Sequence, residues 1–197
     1  MYLYKGAGPG THWFVRDPRT AGGFLVAPVS TGPSAIVRHI VNYSWPSAYT
    51  SFSASYAAAC EYALSGPAGT ATAANPGYVY EIDVHLALAA GVRFLDPAQV
   101  ILGANPPVGA AGHVPTHHDG GADLIRGVAD PLQAGILTAS PRRPTNPAVP
   151  AGPTVRTGGP PVVHAELRAV IFALRDSEVL ATTNVEAGCI TQRYLVY

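Results

Sequence analysis

From Gly77 the chain reads Gly-Tyr-Val-Tyr-Glu-Ile-Asp-Val84, an alternation that predicts a half-buried strand. Residues 12–16 (His-Trp-Phe-Val-Arg) and 24–29 (Phe-Leu-Val-Ala-Pro-Val) are aromatic or β-branched runs closed by Gly and Pro, and they too predict strands. The opening residues, Glu178-Val-Leu-Ala181 and Gln192–Tyr197 read the same way. Helical turns are expected over 34–41, with Ser34 as N-cap. A polar strand over 47–53 runs into the alanine-rich stretch Ala54–Leu64, which has high helix propensity and is stopped by Gly66-Pro67. Asp96-Pro97-Ala98-Gln99 is a helix start, with Asp as N-cap and Pro at the first position. His164–Arg175 is a further helix. Short strands with a few scattered helices predict an α+β fold.

At 197 residues the chain can bury a sizeable core as one domain, 1–197. Residues 139–162 carry seven prolines and several glycines, so they predict an extended surface segment and not core. They belong to a wider stretch, 103–162, read as a loop-rich insertion. Hydrophobic residues make up 48% and charged residues 12%, which excludes a disordered chain of the high-charge kind. Net charge is zero, which excludes nucleic-acid binding by bulk positive charge and leaves a local basic patch open. Cys60 and Cys189 are too few for a disulfide framework, and one bridge or two thiols both fit. No apolar run reaches the length of a membrane span. The start shows no signal-peptide pattern, so a cytoplasmic protein, or a domain of a longer one, is expected.

Four groups of residues carry candidate chemistry. Trp13-Phe14-Val15-Arg16-Asp17-Pro18-Arg19 sets an arginine at an expected strand end. Tyr49-Thr50-Ser51-Phe52-Ser53 ends a strand in hydroxyls just before a helix, where Ser53 would serve as cap. Asp176-Ser177-Glu178 places two carboxylates at i and i+2, on one side of an extended segment. His113, His117, His118 and Asp119 form a cluster with metal-ligand chemistry but no rigid scaffold. A polar surface loop is the simpler reading of that cluster, and no metal is expected.

In order and spacing the first three groups resemble the mono-ADP-ribosyltransferase toxins, the pertussis-toxin-like catalytic domains first and the cholera-toxin-like ones next. Phe14-Val15-Arg16-Asp17-Pro18-Arg19 approximates that family's aromatic-x-Arg-x-Asp-x-Arg start with one residue fewer, and Gly22-Gly23-Phe24 its Gly-Phe. Ile36-Val37-Arg38-His39-Ile40 resembles the helix that carries an active-site histidine. Ala48–Ser53 resembles the Phe-x-Ser-Thr-Ser strand and Gly77–Ile82 the Gly-Tyr-Ile-Tyr strand. The family's catalytic glutamate is followed seven and twelve residues later by Ile or Val. From Glu178 these are Val185 and Ile190, whereas Glu166 and Glu186 fit less well. The likeness covers most of 12–84 and 164–197. Phe52 replaces the usual Thr, and Asp176 replaces the Gln or Glu two before the catalytic residue. Lys5 occupies another strand slot for the arginine, where lysine would lose the bidentate phosphate fork.

The resemblance implies an ADP-ribosyltransferase-like split β-sandwich that cleaves NAD at the nicotinamide–ribose bond. Nicotinamide leaves a pyridinium as a neutral molecule, so no general acid is needed. What needs stabilising is an oxocarbenium-like ribose, and a carboxylate beside the 2′-hydroxyl does this. By this likeness Glu178 is that carboxylate, Arg16 binds the pyrophosphate or adenosine ribose, Ser51 orients Glu178, and Ser53 caps the helix behind it. His39 steadies ribose or phosphate, and Asp176 meets the nucleophile. Tyr78 and Tyr80 are expected in the core. NAD is a substrate here, since no Rossmann glycine pattern is present. The acceptor is left open among a protein side chain, nucleic acid and water, the last giving NAD glycohydrolysis, and the setting implied is a secreted or delivered bacterial toxin or effector with an immunity or delivery partner. Two alternatives stand beside this: an inactive interaction module of the same fold, and a metal-dependent hydrolase built on His113, His117 and His118.

Overall fold

A computed structural model describes residues 1–42, 46–104 and 165–197. The chain is α+β and divides into two compact units. The first comprises Met1–Val29, Pro46–Leu95 and Asp176–Tyr197, and the second Ser30–Trp45 and Asp96–Arg175.

The first unit holds a six-stranded antiparallel sheet, built from β1 (Tyr2–Ala7), β2 (Thr50–Ser53), β5 (Gly77–Asp83), β6 (Phe94–Leu95), β7 (Glu178–Ala181) and β8 (Ile190–Val196). Their order is β6-β7-β2-β1-β5-β8, so the serine-bearing strand lies between the N-terminal strand and the glutamate-bearing strand. A small hairpin, β3 (Ser65–Gly66) and β4 (Gly69–Thr70), turns at the Gly66-Pro67 that ends the alanine-rich helix α3 (Tyr56–Ala63). The expected strands at 47–53, 77–84, 178–181 and 192–197 are present within a few residues. So are the expected helices: α2 (Pro33–Asn42), α3, α5 (Pro97–Ala104) and α6 (Ala165–Arg175). A short α4 (Val84–Ala89) follows β5, started by Asp83, whose side chain accepts from the His85 and Leu86 amides.

Two expected strands are absent. Residues 12–15 form a single helical turn, α1 (His12–Val15), because Gly8-Pro9-Gly10 turns the chain just before it and Asp17-Pro18 closes it just after. Thr11 fixes the entry by bonding the Gly8 carbonyl through its amide at 3.0 Å and its hydroxyl at 2.7 Å. Residues 24–29 run extended without a ladder. Phe24 exchanges two backbone bonds with Val185, Val26 donates to the Asn184 side chain, and Ala27 donates to the Ser47 carbonyl. These partners lie on different segments, and Pro28 has no donor, so no strand propagates.

Register divides the sheet cleanly. Leu3, Ala7, Phe52, Tyr80, Ile82 and Ala181 share one face with Trp13, Phe24, Val185 and Cys189 in the main core. On the other face α3 lies over Val79, using Ala59 and Ala63. The approach is close because β1 and β5 offer glycine there: a Cβ at Gly6 would collide with the Ala59 carbonyl, and one at Gly77 with the Ala63 carbonyl. Gly77→Ala is therefore expected to push α3 off the sheet. It should lower the thermal midpoint by several degrees, although alanine is no worse than glycine as a strand residue. An unchanged midpoint on calorimetry would mean that α3 sits further from the sheet.

Tyr80 is fully buried, and its hydroxyl donates to the Trp13 carbonyl at 3.2 Å. Burial, helped by the nearby Asp17 charge, pushes its phenol up from 10.0 to about 12. The unfolded chain therefore releases this proton near pH 10 while the folded protein keeps it. The resulting stability is complete below about pH 10 and is lost as pH rises toward about 12. The midpoint should fall steadily over that window, and Tyr80→Phe should flatten part of the fall; a parallel profile for the variant would contradict the burial.

In the second unit, α2, α5 and α6 contact one another. Pro33 opens α2 one residue earlier than expected, with Ile36 donating back to the Gly32 carbonyl. Cys60 and Cys189 are free thiols, and burial raises the Cys189 pKa. No helix among the described residues is long and apolar enough to cross a membrane.

Candidate functional site

Polar groups are costly to bury unless they are bonded, so their location in a core is informative. Among the described residues the buried polar and charged ones are Ser47, Thr50, Ser53, Asp176 and Glu178. All of them fall on β2 and its approach, or at the start of β7. These strands pair in register, with Ser53 opposite Glu178 and Ser51 opposite Leu180. Opposite residues of an antiparallel pair share a face. Ser51, Ser53 and Glu178 therefore stand on one face, together with Tyr4, which pairs with Ser53 from the other side.

The turn into β7 is held from below by β2 and its continuation. The Ser53 hydroxyl donates to the Asp176 carbonyl at 2.5 Å and accepts from the Ser55 amide at 2.9 Å. The Ala54 amide donates to the Ser177 carbonyl at 2.9 Å. Ser177 has φ 48°, a left-handed conformation that costs a non-glycine residue roughly 1 kcal/mol or more. The Asp176 carboxylate, 3% exposed, accepts from the Tyr62 hydroxyl at 2.5 Å. Glu178 is 5% exposed and follows directly. Thr50 donates to the Leu25 carbonyl at 3.0 Å and ties β2 to the extended segment 24–29.

The structure brings Ser51, Ser53, Asp176 and Glu178 together on β2 and β7. It changes the expected role of Ser53. The cap of α3 is Ser55, whose side chain accepts from the Ala58 amide, and not Ser53. The extended chain continues two residues past β2 before the helix begins, which frees Ser53 to bond the turn. Ser53 stands directly across from Glu178, and Ser51 is its diagonal neighbour on the same face.

The candidate cations lie elsewhere. Arg16 is not on a strand: it is the exposed C-cap of α1, its guanidinium donating to the Ala21 carbonyl at 3.3 Å. Lys5 does lie on β1, but opposite Tyr80, on the main-core face and away from Glu178. Burial, followed by the charges of Arg16 and Lys5, lowers the His12 pKa. His39 falls in the last turn of α2, in the second unit. His113, His117, His118 and the proline-rich 139–162 lie outside the described residues. Among the described residues no group of His, Cys, Asp or Glu is placed to hold a metal ion.

Val185 and Ile190, the two positions read downstream of Glu178, are a buried partner of Phe24 and the first residue of β8. Tyr80 is core as expected, and Tyr78 is half-buried, stacked on Phe14 at 5.1 Å with the Arg193 guanidinium 4.4 Å above its ring. Arg193 and Arg19 both bind Asp17, at 2.9 and 2.7 Å, and the bond from Arg19 does most to lower the Asp17 pKa.

Sequence reasoning missed Tyr62. Its signal was the Ala59-Tyr62-Ala63 spacing, which puts the phenol beside the small residues that face the sheet. No protein-family model matches the chain, and neither a curated protein nor a solved structure matches it.

Proposed function

We propose that the chain is a mono-ADP-ribosyltransferase that cleaves NAD at the nicotinamide–ribose bond, its sheet forming part of an ADP-ribosyltransferase-like split β-sandwich. The observation that carries this reading is the pairing of the Ser51-x-Ser53 strand, in register and on one face, with the strand that opens on Glu178. That pairing sets Glu178 on the sheet face that also carries Ser51 and Ser53. In the reaction the bond from ribose C1′ to the nicotinamide nitrogen breaks, its electron pair leaves with nicotinamide, and C1′ gains positive character. A fixed carboxylate near the 2′-hydroxyl stabilises that charge more than it stabilises bound NAD, and so raises turnover. The acceptor nucleophile then bonds C1′ and loses its proton. Acceptor, immunity partner and toxin setting belong to the same proposal.

One observation favours a second reading, an inactive interaction module of this fold. Of the cations that would engage the pyrophosphate, Lys5 is on the sheet face opposite to Glu178, and Arg16 is off the sheet at the end of α1. Under the enzymatic reading Arg16→Lys weakens NAD binding more than it slows the bound complex, because its contact is to atoms that do not react. If Lys5→Ala gives that phenotype and Arg16→Ala is silent, Lys5 has the role. Incubation with NAD labelled separately in its nicotinamide and adenylate parts divides the two readings. Nicotinamide release with adenylate label on protein or nucleic acid supports transfer, and release alone supports hydrolysis. Neither signal leaves the module.

A further inference from the structure

The residues Asp176-Ser177-Glu178 join the end of α6 to β7, and four bonds made by residues of β2, α3 and the link between them hold the turn, three directly and one by fixing Ser53. Ser53 holds the Asp176 carbonyl at 2.5 Å, and the Ala54 amide holds the Ser177 carbonyl at 2.9 Å. The Ser55 amide fixes the Ser53 hydroxyl at 2.9 Å. The fourth bond comes from a side chain on α3, the Tyr62 hydroxyl, which reaches the Asp176 Oδ2 at 2.5 Å. This bond reaches an Asp176 side-chain oxygen, while Ser53 and Ala54 bond the backbone carbonyls of the turn. It crosses 114 positions of sequence, so it ties the helix over the sheet to the turn that sets the first residue of β7.

The turn needs such a tie. Ser177 occupies the left-handed region at φ 48°, a conformation that persists only where its surroundings over-determine it. Glu178 is the next residue, and the direction of its Cα–Cβ bond depends on that dihedral. Asp176 is 3% exposed, with its carboxylate turned toward the phenol, a poor position for meeting an incoming nucleophile.

We infer that Tyr62 is a positioning residue for Glu178: its hydroxyl holds the Asp176 carboxylate and thereby fixes the strained turn from which Glu178 projects. Asp176 is then an anchor and not the group that meets the acceptor. The kinetic part of this inference rests on the NAD-cleaving reading; the structural part does not.

Two measurements test it. In nicotinamide release from NAD, Tyr62→Phe should lower kcat about tenfold or more and leave KM within about twofold, since the phenol touches no part of the substrate. Asp176→Ala should fall similarly, and the double variant should be no worse than the worse single one, because both remove one interaction. Additive losses, or an unchanged kcat, would overturn the assignment. The second measurement needs no activity: amide hydrogen exchange at Ala54, whose N–H bonds the Ser177 carbonyl. Tyr62→Phe should speed that exchange at least about tenfold while β5 amides keep their protection. Asp176→Asn, which still offers the phenol an acceptor, should stay nearer the wild type than Asp176→Ala does, and serves if the phenylalanine variant fails to fold. Unchanged exchange at Ala54 in Tyr62→Phe, or in Asp176→Ala, would refute the tie whatever the enzyme does. If wild-type protein releases no nicotinamide, the NAD reading fails and exchange alone decides.

Discussion

Glu178→Gln should leave a folded protein that still binds NAD and releases nicotinamide about 10²–10³-fold more slowly. The substitution keeps the shape and the hydrogen-bonding reach of the side chain. What it removes, under the proposed reaction, is the negative charge that would face the developing oxocarbenium ion, in a site where Glu178 is 5% exposed. Low accessibility makes the loss larger than it would be in water, because little solvent screens the contact. Ser53 opposite, and the turn behind, should hold the amide where the carboxylate was. Steady-state kinetics with a parallel NAD-binding isotherm is the check: kcat falls and binding stays. If Glu166→Gln abolishes turnover and Glu178→Gln does not, the catalytic position has been read in the wrong register.

Phe24→Ala should destabilise the fold by about 3–5 kcal/mol, the range for deleting a fully buried aromatic ring. Phe24 is completely buried and meets Trp13 at 5.0 Å, Phe52 at 5.2 Å and Tyr80 at 5.7 Å, all edge to face. It thus joins α1, β2 and β5 through one ring, and its backbone pairs with Val185 beyond β7. Its three ring neighbours are themselves rigid aromatics. The thermal midpoint should drop by roughly 10 °C or more for a chain of this length. A drop of only a degree or two would mean that the core collapses around the deletion, and that segment 24–29 matters less than its contacts indicate.

The legible parts of the fold were those with local cues. The alternation from Gly77 gave β5, the alanine run stopped by Gly-Pro gave α3, and Asp-Pro gave the start of α5. Segments 12–16 and 24–29 misled because aromatic and β-branched content marks burial as well as strand. Trp13 and Phe24 are buried, but no neighbouring strand offers them a ladder. Long-range partners decided the outcome, and a single sequence does not display them. The same holds at the site. Acid-x-acid and Ser-x-Ser could be read as chemistry from spacing alone, and the strands bearing them do pair. Which serine stands directly opposite Glu178 depends on register, which composition does not reveal. Arg16 was expected at a strand end, so its place followed the mistaken strand. Tyr62 was hidden for another reason: its meaning comes from a bond across 114 positions to Asp176.

The central claim is that the carboxylate fixed at the start of β7 cleaves NAD. The most direct measurement is the appearance of free nicotinamide in the proton NMR spectrum of wild-type protein mixed with NAD. Nicotinamide resonances should grow in while those of NAD decline in step, and should be nearly absent with Glu178→Gln. NAD left intact over days beside protein whose spectrum shows it folded would contradict the claim.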